Sequence, residues 1–144
     1  MQQNFNLAKM KKVFTNGCFD LLHEGHLDLL EFARSKGDIL IVGLNSDSSV
    51  RRLKGFKRPV HNEGFRKKLL ESIKYVDEVL IFEDITPLEL IIKIKPDVLV
   101  KGGDYTPESV IGSEEVFSWG GEVLIYPLRE KLSTTSIISK IKSL

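Results

Sequence analysis

The chain has 144 residues and a formal net charge of +1, from 21 basic and 20 acidic residues. This length suits a single domain with its own core, and the balanced charge gives no basis for binding nucleic acid. A single cysteine excludes an intramolecular disulfide and favours a reducing compartment. No apolar run is long enough for a signal peptide or a membrane span. We therefore expect a soluble, cytoplasmic protein with neither a nucleic acid nor a membrane partner.

Apolar runs alternate with helical patterns from residue 11 to the C-terminus. The runs predict strands at residues 12–16, 38–44, 76–82, 96–100 and 122–126. The helical patterns predict helices at residues 26–36, 64–73, 88–94, 113–119 and 135–141. This alternation predicts an α/β fold, Rossmann-like, with an open parallel five-stranded sheet and helices on both faces. Residues 1–10 are expected to be a flexible extension, and residues 11–144 a single domain.

Helix ends carry their own signals. Gly37 is predicted to be the C-cap of the first helix. Thr86 is predicted to be an N-cap, with Pro87 at the first helical position and Glu89 completing a capping box. In the last helix, Ser133 or Thr134 is the natural N-cap.

Two histidines, His23 and His26, lie where the first strand passes into the first helix, with Gly25 just before the second. Backbone N–H groups and the helix dipole favour anions at such a point, and imidazoles donate hydrogen bonds to phosphate oxygens. The pattern predicts a nucleotide phosphate site. The alternatives are a polar surface pair, a helix cap, or a zinc site, for which Cys18 and His61 supply too few further ligands.

Three segments carry a family resemblance. They are Gly17-x-Phe-Asp-x-x-His-x-Gly-His26, Lys101-Gly-Gly-Asp-Tyr105 and Leu132-Ser-Thr-Thr-Ser-Ile-Ile138. In this order they resemble the cytidylyltransferase-like nucleotidyltransferases, and most of all their heptose 1-phosphate adenylyltransferase branch. The resemblance implies a nucleotidyltransferase fold and adenylyl transfer from ATP to D-glycero-β-D-manno-heptose 1-phosphate. The products would be pyrophosphate and ADP-heptose, a precursor of lipopolysaccharide or another surface glycan. It also implies Mg²⁺ carried by ATP, no dedicated metal site, and a homodimer.

The resemblance assigns site residues one by one. The catalytic residues would be His23, His26 and Lys54. The nucleotide-binding residues would be Asn16, Gly17, Cys18, Phe19, Gly25, Lys101, Gly102, Gly103, Asp104, Ser133, Thr134 and Thr135. The substrate-binding residues would be Asp20, Asp47 and Arg66.

Several of these residues have a simpler alternative. Cys18 also fits a small buried apolar residue, Arg66 a surface position, and Asp104 a plain turn. The Ser-Thr-Thr run lacks the arginine that relatives carry shortly after it, since Ser139 and Lys140 stand there. The functional alternatives are a CTP-dependent glycerol-3-phosphate cytidylyltransferase and, outside enzymes, a nucleotide-binding sensor.

Overall fold

The computed structural model describes residues 10–128 and 133–144, so the predicted extension at residues 1–10 lies outside the described residues apart from Met10. The strands are β1 (Lys12–Gly17), β2 (Ile39–Asn45), β3 (Glu78–Phe82), β4 (Val98–Gly102) and β5 (Glu122–Tyr126). The helices are α1 (Glu24–Arg34), α2 (Asp47–Lys54), α3 (Glu63–Glu71), α4 (Leu88–Ile94), α5 (Ser113–Ser118) and α6 (Thr134–Lys142), with a short 3-10 helix at Pro107–Ser109. No helix in the described ranges is both long and apolar enough to cross a lipid bilayer.

The five strands form one parallel sheet in the order β3-β2-β1-β4-β5, with β1 at its centre. Successive side chains on a strand point to opposite faces of the sheet. On β2, Leu40 and Val42 therefore join one buried cluster, while Ile41 joins the other. Both faces need cover, which explains why the strands are apolar throughout rather than alternating.

Helices supply that cover on both faces. Leu29 and Leu30 of α1 pack with Leu70 of α3 in one core cluster. Ile91 of α4 and Val116 of α5 belong to the other. The predicted fold, an open parallel five-stranded sheet with helices on both faces, is confirmed.

The helix α2 was not predicted from the sequence. Its eight residues include only two apolar ones, Val50 and Leu53, which is too few for a helical hydrophobic period. Local capping starts it instead, because the Ser46 hydroxyl accepts a 3.1 Å hydrogen bond from the backbone N–H of Ser49. The helix matters because it connects the end of β2 to Lys54 and so sets the position of that lysine.

Two predicted caps are wrong. Pro87, not Thr86, occupies the N-cap of α4, and no side chain caps that helix. Ser35, not Gly37, is the C-cap of α1. A glycine is needed at position 37 for another reason: a Cβ there would lie 2.8 Å from the Lys11 carbonyl oxygen and 2.7 Å from a methyl of Val13.

We expect Gly37→Ala to lower the free energy of unfolding by about 1–3 kcal/mol, because backbone and a packed strand must shift to admit the methyl group. Gly64→Ala is the matched control. A Cβ there meets only the Asn62 side chain, at 3.4 Å, inside α3, so this change should stabilise by roughly 0.5–1 kcal/mol. Urea unfolding of both variants checks the pair. Equal effects would contradict the close-approach explanation.

Candidate functional site

A cavity of about 550 Å³ opens at the carboxyl edge of the sheet. In parallel α/β sheets ligands bind at this edge, where strands and helix N-termini converge. Most predicted site residues meet there: the cavity wall includes Asn16, Gly17, Cys18, Phe19, Asp20, His23, His26, Lys54, Lys101, Gly102, Ser133, Thr134 and Thr135. Five others do not line it: Gly25, Asp47, Arg66, Gly103 and Asp104.

The two histidines cap α1 with their own side chains. His23 is the N-cap, and its Nδ1 accepts from the Gly25 N–H at 3.1 Å. His26 Nδ1 accepts in turn from the His23 N–H at 3.1 Å. The helix cap proposed as the alternative is therefore present. It does not compete with phosphate binding, because it uses only Nδ1 of each ring. A neutral imidazole that accepts at Nδ1 carries its proton on Nε2, so each ring keeps one donor.

Both histidines are neutral near pH 7. Burial, together with the nearby charge of His23, lowers the pKa of His26 to about 4, and burial lowers the pKa of His23. The two ring centroids lie only 3.9 Å apart, so protonating both rings would place like charges together. Protonation would also turn Nδ1 into a donor and break the cap. The site thus offers Nε2–H dipoles rather than two fixed cations.

The pKa of His26 makes folding depend on pH. Its ordinary pKa is 6.5 and its folded pKa about 4, so the unfolded chain binds more protons between these values. The unfolding free energy should therefore fall as pH drops from 6.5 to 4, by up to roughly 1.4 kcal/mol per pH unit from this group. Urea unfolding at several pH values tests this. His26→Asn keeps an acceptor near Nδ1 but cannot titrate, so its pH slope should be shallower; an equal slope would contradict the assignment.

The ring of Phe19 packs against the ring of His26. Its ring is 4% exposed and its centroid lies 5.3 Å from that of His26. The backbone of Phe19 has φ of 45°, a left-handed conformation that is unfavourable for a bulky residue. Such strain concentrates where a fold must hold a functional turn. Here it turns the chain out of β1 so that an aromatic face backs His26.

Asp20 lies in the cavity wall, but its carboxylate already accepts hydrogen bonds from the protein. Its side chain is only 1% exposed and accepts from the backbone N–H groups of Val60 and His61 and from Arg58 Nε. Although burial alone raises the pKa of Asp20, these hydrogen bonds and the Arg58 charge together lower it below its usual range. Its predicted contact with substrate is replaced by a structural one: Asp20 fastens the loop of residues 55–62 to the β1–α1 turn.

Arg66 is also structural, and the surface position considered for it is wrong. The side chain is fully buried. It donates to the carbonyls of Cys18, Asn45 and His61, each at 2.8 Å, and to Asp47 at 2.7 Å. These contacts join the ends of β1 and β2 to the start of α2. Neither Arg66 nor Asp47 lines the cavity, and Asp47 is the charged partner of this occupied guanidinium.

Two lysines bring positive charge to the cavity wall. Lys54 ends α2 and Lys101 lies near the end of β4. Burial lowers the pKa of Lys101, and its ammonium lies 5.3 Å from the centroid of the Tyr105 ring. Neither lysine has a carboxylate partner among the residues that the structure describes. Burial raises the pKa of the Cys18 thiol, so Cys18 contributes a small, neutral side chain to the cavity wall.

The start of α6 closes one side of the cavity. Ser133 is its N-cap, accepting from the Ser136 N–H at 2.9 Å, as predicted. The Thr134 hydroxyl donates to the Leu21 carbonyl at 3.2 Å and so ties α6 to the histidine turn. A helix start of this kind directs backbone N–H groups toward an anion. Arg129, which precedes this segment, lies outside the described residues.

Some wall residues were not predicted as site residues. These are Leu29, Asn45, Leu53, Arg58, Ile85, Thr86, Pro87, Tyr105, Ile111 and Leu128. Ile85, Thr86 and Pro87 follow β3. The rule that ligands bind beyond the carboxyl ends of strands therefore could have identified them, as it did the other segments. Arg58 has no such signal, because its place depends on Asp20, 38 residues earlier.

The cavity does not contain a protein-built metal cage among the described residues. No group of three or more His, Cys, Asp or Glu side chains gathers there to hold an ion. Asp20, the one carboxylate in the wall, already accepts from three groups. These side chains do not fit a dedicated magnesium site.

Residues 14–140 match the family described as cytidylyltransferase-like. The chain is 57% identical over 129 residues to the bifunctional protein HldE of Trichlorobacter lovleyi, covering 90% of this chain and 26% of that protein. It is 59% identical over 128 residues to HldE of Koribacter versatilis, covering 89% and 26%. The chain thus spans about a quarter of the length of these relatives. A solved lipopolysaccharide core biosynthesis protein from Thermoplasma volcanium is 28% identical with a TM-score of 0.67, covering 83% of this chain and 97% of that one. The chain belongs to the cytidylyltransferase-like family.

Proposed function

We propose that this protein transfers the adenylyl group of ATP to D-glycero-β-D-manno-heptose 1-phosphate, giving ADP-heptose and pyrophosphate. The observation that carries the proposal is a pair of neutral histidines that cap a helix through Nδ1 and keep Nε2–H for a ligand. They lie in a cavity with two lysines that have no carboxylate partner among the described residues. The three motifs support the heptose branch. So do the HldE relatives at 57–59% identity and the lipopolysaccharide core biosynthesis protein.

The chemistry needs positioning and charge neutralisation more than a base. An ionised phosphate oxygen of the acceptor attacks the α-phosphorus of ATP in line, forming a new P–O bond. The bond from the α-phosphorus to its bridging oxygen breaks, and pyrophosphate leaves with the electron pair. No proton must be removed from the nucleophile. The rate then depends on holding two anions in contact and on stabilising the charge that develops on phosphate oxygens.

Different residues around the cavity would bind different phosphate groups. Nε2–H of His23 and His26 would donate to phosphate oxygens, and the transition state would gain most where charge increases. The N–H groups at the start of α6 would hold the departing pyrophosphate. Lys54 would bridge the phosphates of the two substrates. Mg²⁺, reaching the site on the phosphates of ATP, would neutralise part of their charge.

The two sides of the cavity differ in character. The end of β4 and the turn after it bring Lys101, Gly102 and Tyr105, which suit a neutral aromatic base stacked beside a glycine backbone. The strands β2 and β3 bring Lys54 and the turn before α4. We assign the nucleoside to the first side and the sugar phosphate to the second.

Pyrophosphate release tests the proposal, with ATP or CTP offered against the heptose 1-phosphate and glycerol 3-phosphate. The expected result is release only with ATP and the heptose phosphate. Release with CTP and glycerol 3-phosphate would replace the proposal by the cytidylyltransferase alternative. Tight nucleotide binding without turnover of any pair would favour a sensor.

The homodimer and the cytoplasmic location stay predictions. Light scattering of the purified protein across a concentration series measures the first, and a single species of about 16.3 kDa would contradict it.

A further inference from the structure

The loop of residues 55–62 is fastened to the phosphate-binding turn by one carboxylate. Asp20 lies three residues before His23 and accepts from the N–H groups of Val60 and His61 at 2.8–3.0 Å. It also accepts from Arg58 Nε at 2.9 Å. Since the carboxylate is 1% exposed, water competes little for these bonds. The loop therefore keeps a fixed position relative to the histidines.

The Arg58 guanidinium is held at one end only. Its side chain is 15% exposed and lines the cavity. Nε is bonded to Asp20, whereas no residue in ranges 10–128 and 133–144 accepts from Nη1 or Nη2. Buried Arg66, by contrast, directs four of its five N–H donors to protein acceptors. The two NH2 groups at the cavity wall suit a phosphate, which accepts from a guanidinium in the bidentate manner.

The position of Arg58 decides which phosphate. Arg58 lies in the loop that follows α2, four residues after Lys54, and both side chains line the cavity. The pyrophosphate end of ATP already has donors from α1 and α6. The second anion, on the acceptor, needs its own cations, because two phosphates in contact repel each other strongly where water is excluded.

We propose that Arg58 binds the phosphate of the acceptor substrate beside Lys54, and that Asp20 is the positioning residue that holds its guanidinium. This inference rests on the proposed function and adds to it a binding residue for the acceptor. It gives the segment from Gly17 to His26 a second role, since the turn that carries the two histidines would also set the location of the acceptor. Both substrates would thus be aligned from one short piece of chain.

Steady-state kinetics of Arg58→Gln test the proposal. Loss of a charged hydrogen bond should raise the KM of the acceptor phosphate about 10- to 100-fold, with the KM of ATP unchanged. Arg58→Lys should lie between, since lysine keeps the charge but cannot reach both Asp20 and phosphate. The matched control is Arg51→Gln, an exposed charge on α2 outside the cavity wall, which should leave every constant unchanged. A rise confined to the KM of ATP, or a fall in thermal stability alone, would overturn the assignment.

A binding measurement separates this inference from the proposed function. In ¹⁵N-labelled protein, the Arg58 Nε–H signal is identified by its absence in Arg58→Gln. Inorganic phosphate should shift that signal and leave the Arg51 signal in place. If the wild type turns over no acceptor yet the shift occurs, the proposed function fails and the anion site stands. If phosphate leaves the Arg58 signal unmoved, the site is refuted whatever the enzyme turns over.

Discussion

His26→Asn is expected to lower kcat at least about 100-fold in a protein that remains folded, the scale of removing one preorganised donor from a transition state. The asparagine carbonyl can replace Nδ1 as the acceptor for the His23 N–H, which closes the cap at 3.1 Å in the wild type. What it cannot supply is the Nε2–H. The loss should therefore fall on kcat more than on the KM of ATP, because charge on the phosphate oxygens grows in the transition state.

Two further variants separate the role of His26 as a donor from its role as a helix cap. His26→Ala removes both the donor and the cap, so it should lose similar activity and some stability as well. His61→Asn is the matched control: the His61 ring packs on Phe65 at 4.8 Å and does not line the cavity, so kcat should not change. Pyrophosphate release and urea unfolding measure the two effects. Near-normal kcat in His26→Asn would show that the ring serves only as a cap.

The cap explains why histidine suits these two positions. Serine or asparagine is the usual N-cap, and glutamate or glutamine the usual partner three residues on, yet none of these keeps a donor on its far side in a fixed direction. An imidazole has one nitrogen for the helix and another for a ligand, about opposite each other on a rigid ring. The ring also stays neutral, so the site without a ligand does not have to hold a buried, unpaired charge.

Much of the fold follows from local pattern. The continuous apolar run at residues 39–44 has to be buried on both faces, and this predicts a parallel strand between helices. Once the strands are known, the strand-end rule brings Asn16, Asn45 and Lys101 to one edge. The position of the cavity therefore follows from the order of β and α segments, and the family motifs predict which of its side chains bind phosphate.

The parts that the sequence did not predict depend on distant partners. Arg58 meets Asp20 across 38 residues, and Arg66 meets the Cys18 carbonyl across 48. An arginine in a basic segment looks the same in sequence whether it faces solvent, substrate or a buried carboxylate. Its surroundings depend on the folded chain, because a buried arginine lies where carbonyl or carboxylate oxygens would otherwise lack a donor. For the same reason Asp20 and Asp47 looked like ligand contacts and are instead partners of arginines.

Arg66→Met is expected to lower the free energy of unfolding by about 3–5 kcal/mol, the cost of breaking a buried charged pair from one side. The substitution leaves the carbonyls of Cys18 and Asn45 without their Arg66 donors and Asp47 without its cation. Because a domain of this size is stable by only about 5–15 kcal/mol, the variant should unfold at much lower urea. The fluorescence of Trp119, the single tryptophan, which donates to the Pro96 carbonyl at 2.9 Å, reports the transition.

Arg66→Lys and Arg51→Gln separate geometry from charge. Lysine keeps the charge but cannot span four acceptors, so it should recover only part of the loss. Arg51 is exposed, and its replacement should change stability by less than about 0.5 kcal/mol. If Arg66→Met stays as stable as Arg51→Gln but raises the KM of a substrate, Arg66 contacts that substrate after all. A stability loss that accounts for the lost activity, with KM unchanged in the protein that remains folded, would fix Arg66 as the residue that holds the ends of β1 and β2 to the start of α2.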